Sequence, residues 1–120
     1  MEQLITSRCD GFDKDAALGR VGGDIDLLKE IAGVFLDDCP RSLAELRDAV
    51  ARGDCALVER SAHTLKGASA TFGATSLVFA ALQIEKMGHA RTLHGIVPAL
   101  AAVETALDAL RGELEVLIAS

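Results

Sequence analysis

A histidine, a lysine three positions on and a glycine four positions on stand together as His63, Lys66 and Gly67 in the stretch "SAHTLKGASA". Neutral imidazole is a nucleophile near pH 7. Once phosphorylated, it needs a nearby cation and an unobstructed in-line approach for the group that arrives or leaves. Residues three and four apart on a helix are neighbours, so Lys66 sets a positive charge beside whatever the ring carries, and Gly67 leaves bare backbone next to it. A glycine inside a helix costs roughly 1 kcal/mol relative to alanine. Good helix formers and an in-register Phe72 follow Gly67, and Gly73 is the better stop signal. Gly67 therefore reads as an access point rather than a helix end.

The helix that carries these residues must aim them outward. At about 100° per residue, Leu57, Val58, Ala62, Leu65, Ala68, Ser69 and Phe72 share one broad stripe, and His63 falls about opposite its centre. A core role for His63 fails on position. The remaining alternative is an ordinary solvated histidine, weighed against its neighbours Ala56, Glu59, Lys66, Gly67 and Ala70. For His89 and His94 the default is a hydrogen-bonded core or rim residue.

Apolar residues along the whole chain recur at three and four, without the alternation of strands, so the chain is expected to be all-helical. A short helix is predicted from about Asp13 to Arg20, broken by the glycines at Gly22 and Gly23. Asp24 then caps a second helix that runs to about Asp38. Pro40 fits the first turn of a third helix, which Gly53 ends, and Asp54 caps a fourth that reaches Gly73. Thr75 is predicted to cap a fifth, ending near Gly88. The last starts between Thr92 and Val97 and runs to about Ile118, with Pro98 in its first turn or kinking it. Short connections favour an antiparallel up-and-down four-helix bundle with one or two short additional N-terminal helical segments.

A chain of 120 residues, half of them hydrophobic and a quarter charged, is expected to form a single globular domain over 1–120. The net charge of −6 comes without a basic cluster, and Trp and Tyr are absent, which speaks against nucleic acid as a partner. No apolar run is long enough for a membrane span, and "MEQLITSRCDGF" lacks the build of an export signal. Cys9, Cys39 and Cys55 are odd in number and lack CxxC spacing, so neither a disulfide framework nor a zinc site is signalled. The expected setting is the cytoplasm. Met1 and the lack of a ragged linker lean towards a stand-alone protein over a piece of a larger kinase.

"AHTLKGASATFGATSL" resembles the signature of histidine phosphotransfer (HPt) domains, the helical intermediates of multistep phosphorelays, and "FDKDAALGRVGGDIDLLKEIAGVFLDDCP" looks like the N-terminal region of that family. The resemblance covers about 12–88. It implies that His63 accepts a phosphoryl group, on Nε2, from a receiver aspartate or a histidine kinase and passes it to a response-regulator receiver aspartate. It implies too that Lys66 stabilises the phosphoryl charge and that Gly67 admits the receiver. By spacing, the family position that orients the histidine through its other ring nitrogen falls on Glu85. Glu85 also sits amid the apolar Leu77, Val78, Ala81 and Leu82, where a carboxylate wants a partner. The plain alternative is a rim position or a pair with Lys66 or Arg60; Gln83 is the weaker candidate for orienting the ring.

No GxxxxGK[ST] loop occurs and the chain is too short for an ATP-binding kinase domain, so a phosphocarrier rather than an enzyme is expected, with no cofactor or metal of its own. The Mg²⁺ for transfer would sit on the receiver. The partners implied are receiver domains and a sensor or hybrid histidine kinase, met by a monomer. Ala70, with Ile25, Ala32 and Leu36 beside the second helix's stripe of Leu27, Leu28, Ile31, Val34 and Phe35, is a candidate docking patch; packing under the first helix is the alternative. Two rivals remain. The i, i+4 pairs Glu59/His63 and Glu85/His89 suggest a metal-binding bundle, but the Glu-x-x-His spacing and further carboxylates of such sites are missing. The second rival is a helical adaptor that transfers nothing.

Overall fold

The computed structural model describes residues 12–120, and Cys9 with the rest of the N-terminal stretch read above lies outside the described residues. Among the described residues five helices follow one another: α1 Lys14–Arg20, α2 Ile25–Arg52, α3 Cys55–Ala70, α4 Thr75–Ala90 and α5 Ile96–Ala119. Three aspartates start three of them. Asp13, Asp24 and Asp54 each accept a hydrogen bond at 3.1 Å from the backbone N–H three residues on, filling one of the donors that a helix start leaves unpaired. Gly53 closes α2 in the left-handed conformation at φ 66°, where a side chain would be strained.

Two boundaries differ from the expectation. Pro40 does not open a helix but lies inside α2, whose 28 residues run through the predicted break. The buried positions Leu28, Ala32, Phe35, Cys39, Leu46 and Ala49 keep one apolar face in step on both sides of the proline, and that burial outweighs the local penalty. Pro40 has no N–H to give the Leu36 carbonyl, and the Cys39 thiol approaches that oxygen at 3.7 Å instead. The second correction concerns Thr75. It is the first residue of α4 rather than its cap, and Ala74, buried and without a polar side chain, holds the cap position. Pro98 lies in the first turn of α5, where its missing N–H costs nothing.

The four long helices close a ring in which α2 neighbours α3 and α5, and α4 neighbours α3 and α5. Antiparallel order shows in the links between α2 and α5, where Lys29 donates to the Ser120 carbonyl and Arg47 to Glu104. The interior is filled by Leu28, Leu46, Val58, Phe72, Leu77, Ile84, Leu110 and Leu114. Ser69, the buried polar residue of α3, donates its hydroxyl to the Leu65 carbonyl at 2.7 Å. The α1 segment covers the C-terminal end of α3: the Asp13 N–H donates to the Phe72 carbonyl at 3.0 Å, and the Phe72 ring meets Phe12 and Phe35 edge-on. No helix of the described residues is long and apolar enough to cross a membrane.

The Leu36 carbonyl, left with a weak thiol donor in place of a backbone N–H, makes Pro40 a testable weakness. Replacing Pro40 by Ala restores a donor on an exposed face and is expected to stabilise the domain by about 1–3 kcal/mol in urea unfolding. A lowered midpoint would mean that the packing of α2 requires the proline.

Candidate functional site

His63 projects from the middle of α3 with two thirds of its side chain exposed, as its position opposite the apolar stripe demands. Its Nδ1 lies 2.8 Å from Glu85 Oε2 on α4. The other carboxylate oxygen, Oε1, lies 2.7 Å from the Lys66 ammonium. One carboxylate thus serves both residues, and the two alternatives that the sequence left open for Glu85 are realised together, with Lys66 rather than Arg60 as the cationic partner.

The environment of Glu85 explains why it stays ionised. Its side chain is only 18 % exposed, which by itself disfavours charge. The Lys66 ammonium is the strongest influence and holds the carboxyl below its ordinary range against the opposing effect of burial, with the His63 bond adding in the same direction. An ionised carboxylate can only accept, so His63 Nδ1 carries the proton and donates it to Glu85. The lone pair is then on Nε2, at the exposed edge of the ring.

On the other side of His63 the surface is open. A Cβ added to Gly67 would meet nothing within 4 Å, so the bare backbone is not required by packing inside the domain. Ala70 is exposed on the same face. Beyond them, Thr64 and Ala68 of α3 and Thr71 just past its end form a mostly apolar groove with Ile31, Val34, Phe35, Asp38 and Ser42 of α2. Ala68, placed in the core stripe from the sequence, is exposed as part of this rim.

The docking patch read on α2 is corrected in part. Ala32 is fully buried and contributes to the core. Ile25 and Leu36 are half-buried against that core, and neither lines the groove that α2 makes with α3. Leu27 and Val34, assigned to the inward stripe, are 40 % and 60 % exposed. The buried arc of α2 is centred on Leu28, Ala32, Phe35 and Cys39, one position away from the sequence reading. Sequence reasoning therefore missed Val34 and Thr64 as lining of the α2–α3 groove, and an apolar valine on a helix carries no mark that tells groove from core.

The second histidine pair was also missed. Glu59 turns to His89 Nδ1 at 3.0 Å across the α3–α4 interface, so each i, i+4 pair that suggested a metal site is split between partners on opposite helices. His89 is a rim residue, four fifths exposed.

The lowered pKa of Glu85 fixes the sign of a pH effect. Its stabilising contribution is complete above the unfolded value of 4.5 and is lost as pH falls towards the lower folded value, because the unfolded chain then takes up the proton first. The melting temperature of the native protein is expected to fall more between about pH 6 and pH 3 than that of Glu85→Gln. Parallel falls in thermal scans would show that the ion pair adds nothing.

Comparison with known proteins agrees with this geometry. The Hpt domain family matches residues 30–113, a span that includes His63, Lys66, Gly67 and Glu85. Histidine-containing phosphotransfer protein 2 of Arabidopsis thaliana is 27 % identical over an alignment of 96 residues that covers 78 % of this chain and 62 % of that protein. The chain thus spans less than two thirds of that relative's length. Two crystal structures share the fold. Histidine-containing phosphotransfer protein B of Pseudomonas aeruginosa PAO1 superposes with a TM-score of 0.80 at 20 % identity, over 87 % of this chain and 90 % of that one. The HPT domain of a sensor hybrid histidine kinase from Shewanella gives 0.79 at 19 % identity, over 90 % and 93 %. With a family match across more than half of its length that includes the histidine the packing exposes, the chain belongs to the Hpt domain family.

Proposed function

We propose that this domain is a phosphocarrier of a phosphorelay, accepting a phosphoryl group on Nε2 of His63 and returning it to a receiver aspartate. The observation that carries the reading is the bond from His63 Nδ1 to Glu85, which leaves the Nε2 lone pair at the exposed edge of the ring. In the forward step Nε2 attacks the phosphorus of an aspartyl phosphate. The P–N bond forms, the P–O bond to the aspartate breaks, and the aspartate leaves as a carboxylate. Positive charge that develops on the ring is met by Glu85 through the Nδ1 proton. The return step reverses these changes with a second receiver.

Lys66 has two parts in this scheme. Its ammonium on Glu85 Oε1 keeps the orienting carboxylate ionised, and it supplies a cation within reach of the phosphoryl oxygens. Gly67 lets the receiver surface close on the ring, and the α2–α3 groove beginning at Thr64 is the side from which it docks. The divalent cation and most of the catalysis belong to the receiver, so the domain is a carrier and not an enzyme. A sensor or hybrid histidine kinase stands upstream. In this scheme the domain works as a monomer in the cytoplasm, which suits the unpaired thiols of Cys39 and Cys55.

Two measurements test the scheme. Incubation with phosphoramidate is expected to add one acid-labile phosphoryl group to His63, read by intact mass and peptide mapping, and none at that position in His63→Gln. An unmodified His63 in the native protein would end the phosphocarrier reading and favour an adaptor. Gly67→Leu is expected to keep its phosphoramidate labelling while transfer from a phosphorylated receiver slows roughly a hundredfold, the scale of an ångström-level misplacement of the reacting atoms. Equal receiver rates would remove the access role.

A further inference from the structure

Gly88, buried on α4, packs directly against the backbone of α3. A Cβ built on it would lie 2.7 Å from the Glu59 backbone nitrogen, 2.8 Å from the Cys55 carbonyl oxygen and 3.0 Å from the Glu59 Cα. All three atoms belong to the backbone of the first turns of α3, so no side chain can rotate aside to make room. Gly67 is the opposite case, with open space around it. The two glycines have different work.

The contact at Gly88 also sets what lies on either side of it. Glu85 precedes Gly88 by three residues and His63 follows Glu59 by four, so in antiparallel helices one turn away from the contact brings Glu85 to His63. Next to the contact itself, His89 meets Glu59. Both histidine–carboxylate bonds, at 2.8 and 3.0 Å, are consistent with this single alignment. The turn between α3 and α4 is far from it: Gly88 lies about 20 Å along α4 from Thr75, at 1.5 Å per residue.

We propose that Gly88 is a positioning residue of the site, setting the register between α3 and α4 and thereby holding Glu85 against His63. The proposal rests on reading His63 as the phosphoryl acceptor, but its structural part can be tested without phosphorylation. Free imidazole prefers its proton on Nε2, so loss of the Glu85 bond moves the proton to the nitrogen that must attack.

The test compares native protein, Gly88→Ala and Leu110→Ala by proton–nitrogen correlation spectra of the imidazole rings and by the rate of phosphoramidate labelling at His63. Leu110→Ala opens a cavity in α5 away from the α3–α4 contact and controls for general loss of stability. In Gly88→Ala both His63 and His89 are expected to lose the Nδ1–H signature, and labelling at His63 to slow roughly tenfold, the equivalent of one hydrogen bond to a charged group. Leu110→Ala is expected to keep both. A Gly88→Ala protein with native spectra and native labelling, or changes no larger than in Leu110→Ala, would overturn the proposal.

A second variant decides the matter independently of whether Gly88→Ala folds. One glycine inserted between Gly73 and Ala74 lengthens the turn without touching Gly88. If Gly88 sets the register, the turn absorbs the residue and the Nδ1–H signature of His63 persists. Its loss would assign the register to the turn and overturn the proposal. If native spectra carry the signature while native His63 takes no phosphoryl group, the phosphocarrier reading fails and the register claim stands.

Discussion

A single carboxylate, placed where burial would rather have it neutral, organises this surface. Glu85 sits at the junction of α3 and α4 with one oxygen on Lys66 and the other on His63. A partly buried charge needs partners, and each partner here gains something from it. Lys66 keeps the carboxylate ionised. The ionised carboxylate in turn determines which nitrogen of His63 carries the proton, and so which nitrogen can react.

The bundle supplies this arrangement by treating the two sides of α3 differently. Towards α4 the helices approach until backbone touches backbone at Gly88, and the polar groups between them are tied across the interface. Towards α2 the packing opens into a groove along Thr64 and Ala68, and Gly67 is bare backbone with open space around it on the same helix. One side holds the histidine still and the other leaves it approachable. Rigid support on one flank and access on the other is what a group-transfer site built on a helix needs, since reacting atoms must be held while a partner closes on them.

Local chemistry was legible wherever it is decided by a few adjacent residues. The aspartates at 13, 24 and 54 cap their helices because the side chain reaches the N–H groups just ahead. Gly53 ends α2 because it alone tolerates the left-handed turn cheaply. The outward aim of His63 followed from counting residues around one helix. Where the deciding force came from another element, local signals misled. Pro40 looks like a helix start, yet the apolar face that continues from Cys39 to Leu46 is buried by α3 and α5 and carries the helix through it. Ala32 looked accessible beside a stripe drawn one position off, because the direction in which α2 faces its neighbours is not written in α2 alone.

By itself, then, the sequence determined the helical class, most of the breaks, and the trio of His63, Lys66 and Gly67, since caps, turns and i, i+3, i+4 neighbours depend on contacts within a few residues of chain. Only the tertiary structure decided that Glu85 bridges Lys66 and His63, that Glu59 turns to His89, that Ala32 belongs to the core, and that the open groove lies along Val34 and Thr64. Those outcomes depend on the register and rotation of one helix against another. They are set by close packing at points such as Gly88, where fractions of an ångström between residues some thirty positions apart choose among neighbours that the sequence leaves equal.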